Sequence, residues 1–197
     1  RGANVPANVA RLGVAGIALT DIAGEPLVKT GGMPPPSPEL RQAMAVAAGG
    51  GEGLYDLHMG TSNELTIGLA VPIYAVQDES QIIGVAVGLK LVSEELFSRL
   101  VQPGETVESA ETYLVRATES TVEFISPLAD GSAPLARNPL SLDREGLASA
   151  FVLESPGASA IKTNYAGVEV LTTGRKLARA PWYLVRTVPT AAALKRS

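Results

Sequence analysis

Leu65-Thr66-Ile67-Gly68-Leu69-Ala70-Val71-Pro72-Ile73-Tyr74 and, after a short polar break, Ile82-Ile83-Gly84-Val85-Ala86-Val87-Gly88-Leu89-Lys90-Leu91 decide how this chain folds. In the first stretch Leu65, Ile67, Leu69, Val71 and Ile73 fall on one face, and Thr66, Gly68, Ala70, Pro72 and Tyr74 on the other. In the second, Ile83, Val85, Val87, Leu89 and Leu91 oppose Ile82, Gly84, Ala86, Gly88 and Lys90. The period of two holds over about ten residues in both, which makes them long paired strands. The pair predicts a sheet with one bulky face and one face shaved to Gly and Ala. A shaved face lets a helix lie close or leaves volume for a ligand, and the close helix is its commoner use.

Upstream, residues 16–21 alternate as a strand. Asp21-Ile22-Ala23-Gly24 reads as a turn, since Asp bonds its own following backbone and Gly tolerates positive φ. Residues 25–30 return as the second strand of a hairpin. Residues 31–36 (GGMPPP) form a stiff loop. Ser37 is a helix N-cap with Pro38 at the first helical position and Glu39 in the first turn, and the helix runs to about Ala48. Residues 49–53 (GGGEG) end it, residues 54–59 make a short strand, and residues 61–64 turn into the long pair. Ser93-Glu94-Glu95-Leu96 opens another helix, to about Val101. Residues 3–12 read as the tail of a helix.

Downstream the same order returns. Residues 112–116 are a strand, 117–120 a turn and 121–126 the return. A polar loop spans residues 129–140. A short helix is expected over 143–150, capped by Ser141 or Asp143. A short strand lies within residues 157–165, followed by the turn Asn164-Tyr165-Ala166-Gly167. Two longer strands, 168–177 and 182–188, precede a helix from Thr190. Both halves read strand, turn, strand, helix, short strand, long strand, long strand, helix. A duplication of about 90 residues accounts for this. The fold class is α+β, with residues 1–104 and 105–197 as two tandem modules, each an antiparallel sheet flanked by helices, joined through Pro103-Gly104-Glu105-Thr106.

Composition narrows the function. Of 197 residues 46% are hydrophobic, enough for a core, and the net charge of −4 with 16 scattered basic residues is no nucleic-acid surface. The absence of cysteine removes disulfides, thiolate metal sites and cysteine nucleophiles, and a lone His58 leaves no His-rich metal site. Mean hydropathy is +0.18, yet the most apolar run, residues 67–76, is half of the roughly 20 residues a spanning helix needs. The chain opens at Arg1 without Met or a signal peptide and ends at Leu194-Lys195-Arg196-Ser197 after an apolar stretch. We expect it to be a piece of a longer protein.

Ala70-Val71-Pro72-Ile73 followed by Ile82-Ile83-Gly84-Val85 resembles the last two strands of the membrane-distal module in the double Cache family. These are the tandem PAS-like, extracytoplasmic sensor regions of bacterial chemoreceptors, histidine kinases and diguanylate cyclases. Ile17-Ala18-Leu19-Thr20-Asp21 with Gly24 looks like that module's first hairpin. Glu111-Thr112-Tyr113-Leu114-Val115 looks like the first strand of the proximal module, and Ala180-Pro181-Trp182-Tyr183-Leu184-Val185 like its closing strand. The resemblance covers nearly the whole chain. It implies a periplasmic small-ligand sensor, anchored in the inner membrane through segments outside this chain; a homodimer is compatible with it. The chain departs from the family in two places. The long N-terminal helix is nearly absent. The Arg-x-Trp-Tyr signature of the amino-acid-binding subgroup is missing, since residues 38–52 hold no aromatic, and this argues against an amino-acid ligand.

Candidate chemistry is sparse. Residues 49–53 lack the Gly-Lys-Ser/Thr that closes a phosphate loop and read as a connector. In PAS-like folds the short strand and its following loop wall the ligand cavity, so Tyr55, His58 and Tyr74 are candidates to hydrogen-bond a small polar ligand, with Lys90 to pair a carboxylate. The blander readings are a satisfied turn histidine and a lysine snorkelling at a sheet edge. Haem ligation by His58 has no supporting motif. Arg175, Arg179 and Arg186 surround Trp182, with Trp182 and Arg186 on one face, as an anion pocket or as a cation–π or solvated rim. No carboxylate pair and no Gly-x-Ser-x-Gly elbow occurs. We therefore expect no enzyme, no cofactor and no metal; the competing reading is a ligand-free structural or dimerisation module.

Overall fold

The computed structural model of the chain describes residues 14–60, 63–100 and 109–193. The expected N-terminal helix tail, the join at residues 103–106, half of the turn at 61–64 and the chain beyond residue 193 lie outside the described residues. The chain divides into two compact units that part between Ser93 and Glu94.

In the first unit β1 (Val14–Thr20) and β2 (Pro26–Lys29) form the hairpin. Asp21 Oδ1 accepts the backbone N–H groups of Ala23 and Glu25, both at 2.9 Å, and Gly24 takes φ +89°. This is the turn that Asp and Gly at those places dictate. Helix α1 (Pro38–Ala48) follows, with Ser37 capping and accepting from the Leu40 N–H. Then come β3 (Gly53–Met59), β4 (Leu65–Ala75), β5 (Asp78–Leu91) and the short α2 (Glu94–Ser98), which opens the second unit. The sheet order is β2-β1-β5-β4-β3.

The sheet does not have one bulky and one shaved face. Ala70 pairs with Val87 and Gly68 with Leu89, so the small residues of β4 share a face with the large ones of β5. Register shifts around Tyr74, at the β4–β5 turn, set this phase. Alternation within a strand fixes its own two faces, but only the turn fixes how they match the neighbour's. Helix α1 packs on this mixed face. Leu40, Ala43, Met44 and Ala47 form one core with Ala18, Ala70, Val85, Val87 and Leu89. The helix comes so close that a Cβ on Gly53 would collide with the Ala43 carbonyl.

The second unit continues with β6 (Glu111–Ala117), β7 (Thr121–Phe124), a two-residue β8 (Leu140–Ser141), α3 (Ala148–Glu154), β9 (Ser159–Thr163), β10 (Glu169–Lys176), β11 (Trp182–Pro189) and α4 (Thr190–Ala193). Its sheet runs β8-β7-β6-β11-β10-β9. With β8 set aside, the order repeats that of the first sheet strand for strand. The architecture is α+β, two antiparallel sheets each flanked by helices, consistent with two tandem PAS-like modules.

Helix α3 starts five residues later than the sequence suggests. Residues 142–146 instead make turns, with Gly146 at φ +71°, and Leu147 is bridged to Thr163. Burial of Val152 carries the helix on to Glu154 without any side-chain cap. Tyr113, Val115, Val122, Phe124, Val152, Tyr165 and Val185 make the core between α3 and the sheet.

Candidate functional site

Tyr55 and His58 reach one face of the first sheet because β3 is irregular. Tyr55 pairs with Gly68 and His58 with Thr66, so two residues, Asp56 and Leu57, stand against Ile67 alone. Such a bulge resets the alternation and brings residues three apart to the same side. The two rings stack at 4.2 Å between centroids, tilted by 42°. His58 Nδ1 lies 2.8 Å from the Asp56 carbonyl. The Ser37 hydroxyl donates to the Tyr55 oxygen at 3.2 Å, and Ser37 also caps α1. A hydroxyl, a phenol and an imidazole, all half-buried, thus gather where α1 begins. They offer a small polar molecule hydrogen bonds and an aromatic wall.

Tyr74 and Lys90 do not join them. Tyr74 stands on the α1 side but six residues further along β4 than Gly68, roughly 20 Å at strand spacing. There it is 41% exposed and its hydroxyl lies near Gly50, past the C-terminal end of α1. Lys90 pairs with Ile67 and points to the opposite face, exposed. One small ligand does not touch all four.

The sequence reading missed a cleft on the α1 side at the β1–β2 edge. It measures about 30 Å³. Ala18 and Thr20 form its floor, Leu40 and Met44 its helix wall, Met33 and Pro36 its roof, and Lys29 also lines it. The signal was present in part: Ala18 and Thr20 alternate onto one face of β1, and the GGMPPP loop must pass over them.

In the second unit Trp182 and Arg186 share the face away from α3, as alternation requires. Arg186 donates to the Thr112 hydroxyl at 2.9 Å, and Arg116 pairs with Glu123 at 2.7 Å. On the α3 side Glu111 is half-buried. Its Oε1 accepts the Ala129 N–H at 2.6 Å, and both its oxygens lie 2.9 Å from the Tyr165 hydroxyl. Burial raises Glu111 above the ordinary carboxylate range. Burial likewise pushes the Tyr113 and Tyr165 phenols up, Tyr113 helped by the charge of Glu111 and Tyr165 by its bond to the same group. This cluster was not legible, since its members lie up to 54 residues apart.

Among the described residues no group of three or more His, Cys, Asp or Glu side chains is placed to hold a metal ion. Among the same residues no helix is long and apolar enough to cross a membrane.

Several solved structures share this fold. The chain is similar to the extracellular domain of a protein assigned as a histidine kinase, rpHK1S-Z16 (TM-score 0.59, 12% identity, 95% of this chain and 76% of that one). It is similar to the ligand-binding domain of the Pseudomonas aeruginosa PAO1 amino-acid chemoreceptor PctB in complex with L-Gln (TM-score 0.56, 17% identity, 100% and 80%). It is also similar to the ligand-binding domain of Mlp24 with asparagine (TM-score 0.56, 14% identity, 98% and 80%). At these identities the likeness is one of fold. No family model and no curated protein matches the chain.

Proposed function

We propose that this chain is the ligand-sensing, extracytoplasmic region of a bacterial membrane receptor of the chemoreceptor, histidine kinase or diguanylate cyclase kind, and that it carries no catalytic activity. The observation that supports this most is the Tyr55–His58–Ser37 group. It couples a polar, aromatic recognition surface directly to the cap of α1, on a fold shared with receptor sensor domains. A ligand bonding to Tyr55 competes for the hydroxyl that starts the helix, so the bound and free states differ in α1. A switch needs such differential affinity for two states. The receptor's membrane anchors lie in flanking segments outside this chain.

The ligand is small and polar. The relatives' amino-acid ligands belong to those proteins, and the absence of aromatic residues from 38–52 separates this chain from the Arg-x-Trp-Tyr pattern. The test is a thermal-shift screen of the chain with organic acids, amines, amino acids and nucleobases. A ligand at 100 times its Kd stabilises by about 2.7 kcal/mol. The expected result is a shift with one class that is lost in Tyr55→Ala and His58→Ala and kept in Tyr74→Ala and Lys90→Ala. A shift kept in the first two variants and lost in Lys29→Ala moves the site to the cleft under the GGMPPP loop. No shift with any class leaves the ligand-free structural module as the better reading.

A further inference from the structure

Tyr113 ends in a hydroxyl with no partner. Its ring is fully buried on the α3 side of β6, 5.9 Å from the Phe124 ring and 5.6 Å from that of Tyr165. The oxygen itself is enclosed and meets neither donor nor acceptor. Buried hydroxyls are nearly always paired, so an orphan asks for an explanation. Two residues earlier on the same face stands Glu111. Two groups donate to its carboxylate, Ala129 N–H and Tyr165 O–H, against about four lone-pair sites, so it can accept more. Tyr165 touches both, its hydroxyl 2.9 Å from the Glu111 oxygens and its ring edge-on to that of Tyr113 at 5.6 Å, which puts the two groups in one neighbourhood.

The loop that closes this neighbourhood is under strain. It joins β7 to β8 and carries both Ala129, bonded to Glu111, and Arg137, whose guanidinium lies 4.7 Å from the centre of the Tyr165 ring. Two residues before Arg137, Leu135 takes φ +60°. That left-handed conformation is unusual for a bulky residue. Strain of this kind persists where surrounding structure holds it, often at ligand clamps and switch segments. Arg137 also shows that a cation is welcome against the Tyr165 ring.

We propose that Glu111, Tyr113 and Tyr165 form a second ligand site, within the unit of residues 94–197, that takes the ammonium group of a small amine. The ammonium donates to the Glu111 carboxylate and to the orphan Tyr113 oxygen, and its charge answers the half-buried carboxylate. The loop of residues 127–137 gives way to admit it. This goes beyond the sensor reading above, which places a ligand in the first unit.

The test uses the full chain and n-propylamine hydrochloride, with sodium chloride at matched ionic strength as the control. Unfolding midpoints and amide spectra of nitrogen-labelled protein are read together. The amine is expected to raise the midpoint and to move the amide signals of Ala129 and Tyr165. Tyr113→Phe keeps the ring packing and removes the orphan. It is expected to unfold at a higher midpoint without amine and to bind the amine about tenfold more weakly. Glu111→Gln is expected to abolish the response. An unresponsive wild type overturns the proposal, and so does an equal response in Tyr113→Phe. Should Glu111→Gln fail to fold, Tyr113→Phe decides. Amide changes confined to Tyr55 and His58 overturn this site while leaving the first-unit sensor standing.

Discussion

Glu111 carries a charge that its surroundings disfavour, and this gives the chain a signed dependence on pH. Burial raises its folded value above the ordinary 4.5. Below 4.5 the group is protonated in folded and unfolded chains alike. Between 4.5 and the raised folded value the folded state binds more protons, so stability falls as pH rises, and above that value the loss stays constant. Asp78 and Asp130 run the other way, their carboxyls held down by hydrogen bonds from Ser80 and Ser132. The difference between wild type and Glu111→Gln isolates Glu111 from these. Urea melts at about pH 4 and about pH 7 should show the wild type losing stability relative to the variant at the higher pH. Glu111 was not legible as a functional candidate. Its strand reads as ordinary alternation, and the sequence signal was only that an acid shares a face with the apolar Tyr113 and Val115. Tyr55 and His58 were chosen because the short strand and its following loop wall the cavity in PAS-like folds, and the structure sets their rings 4.2 Å apart. Tyr74 was chosen as a further hydrogen-bonding phenol and Lys90 as a cation to pair a carboxylate, but distance and face are properties of pairing, which their own strands do not encode.

Helix α1 is the element through which the first unit would act, and its cap is its weak point. Ser37 both accepts from Leu40 N–H and donates to Tyr55. Ser37→Ala should lower stability by about 1 kcal/mol in urea melts, the usual cost of a lost N-cap. Ser37→Asp should restore most of that loss, because a carboxylate also caps. This element was fully legible: Ser, Pro and Glu in order mark a helix start, and a Gly run marks its end. Helix α3 was misplaced by the same logic. Ser141 and Asp143 look like caps, yet Ser141 Oγ accepts from the Asp143 N–H inside a turn, and Gly146 with positive φ delays the helix. Capping residues and turn residues are chemically the same set, so tertiary burial of Ala148 and Val152 decides between them. The assignment of sheet faces failed for a related reason. Alternation held along β4 and along β5 from Gly84 onward, while the register shift at Tyr74 put Ile82 on the face of Val85 and changed how the two sets matched.

At the scale of the whole molecule, two sheets of the same strand order each enclose a separate core. The repeated strand order was legible from element order alone, without residue identity. It predicts separable unfolding. Gly53 lies beneath α1 where no Cβ fits, so Gly53→Ala should destabilise the first unit by about 1–3 kcal/mol, the range for overpacking. Trp182, the chain's single tryptophan, sits in the second unit and reports on it alone. Circular dichroism should show an earlier phase in the variant, while the tryptophan fluorescence midpoint stays in place. A common shift of both signals would mean that the units unfold as one.

The margins of the two sheets have a further consequence. β2 is four exposed residues beginning with Pro26, which has no N–H to offer, and ending with Lys29. β3 is bulged, β8 is two residues long, and β9 carries Lys162. Brevity, proline, a bulge and a lysine are four ways of spoiling a sheet edge as a template for another chain's strand. Each margin of both sheets has at least one of them. Concentrated solutions of this protein should therefore resist growing into strand-stacked fibres, although both sheets are rich in valine and isoleucine.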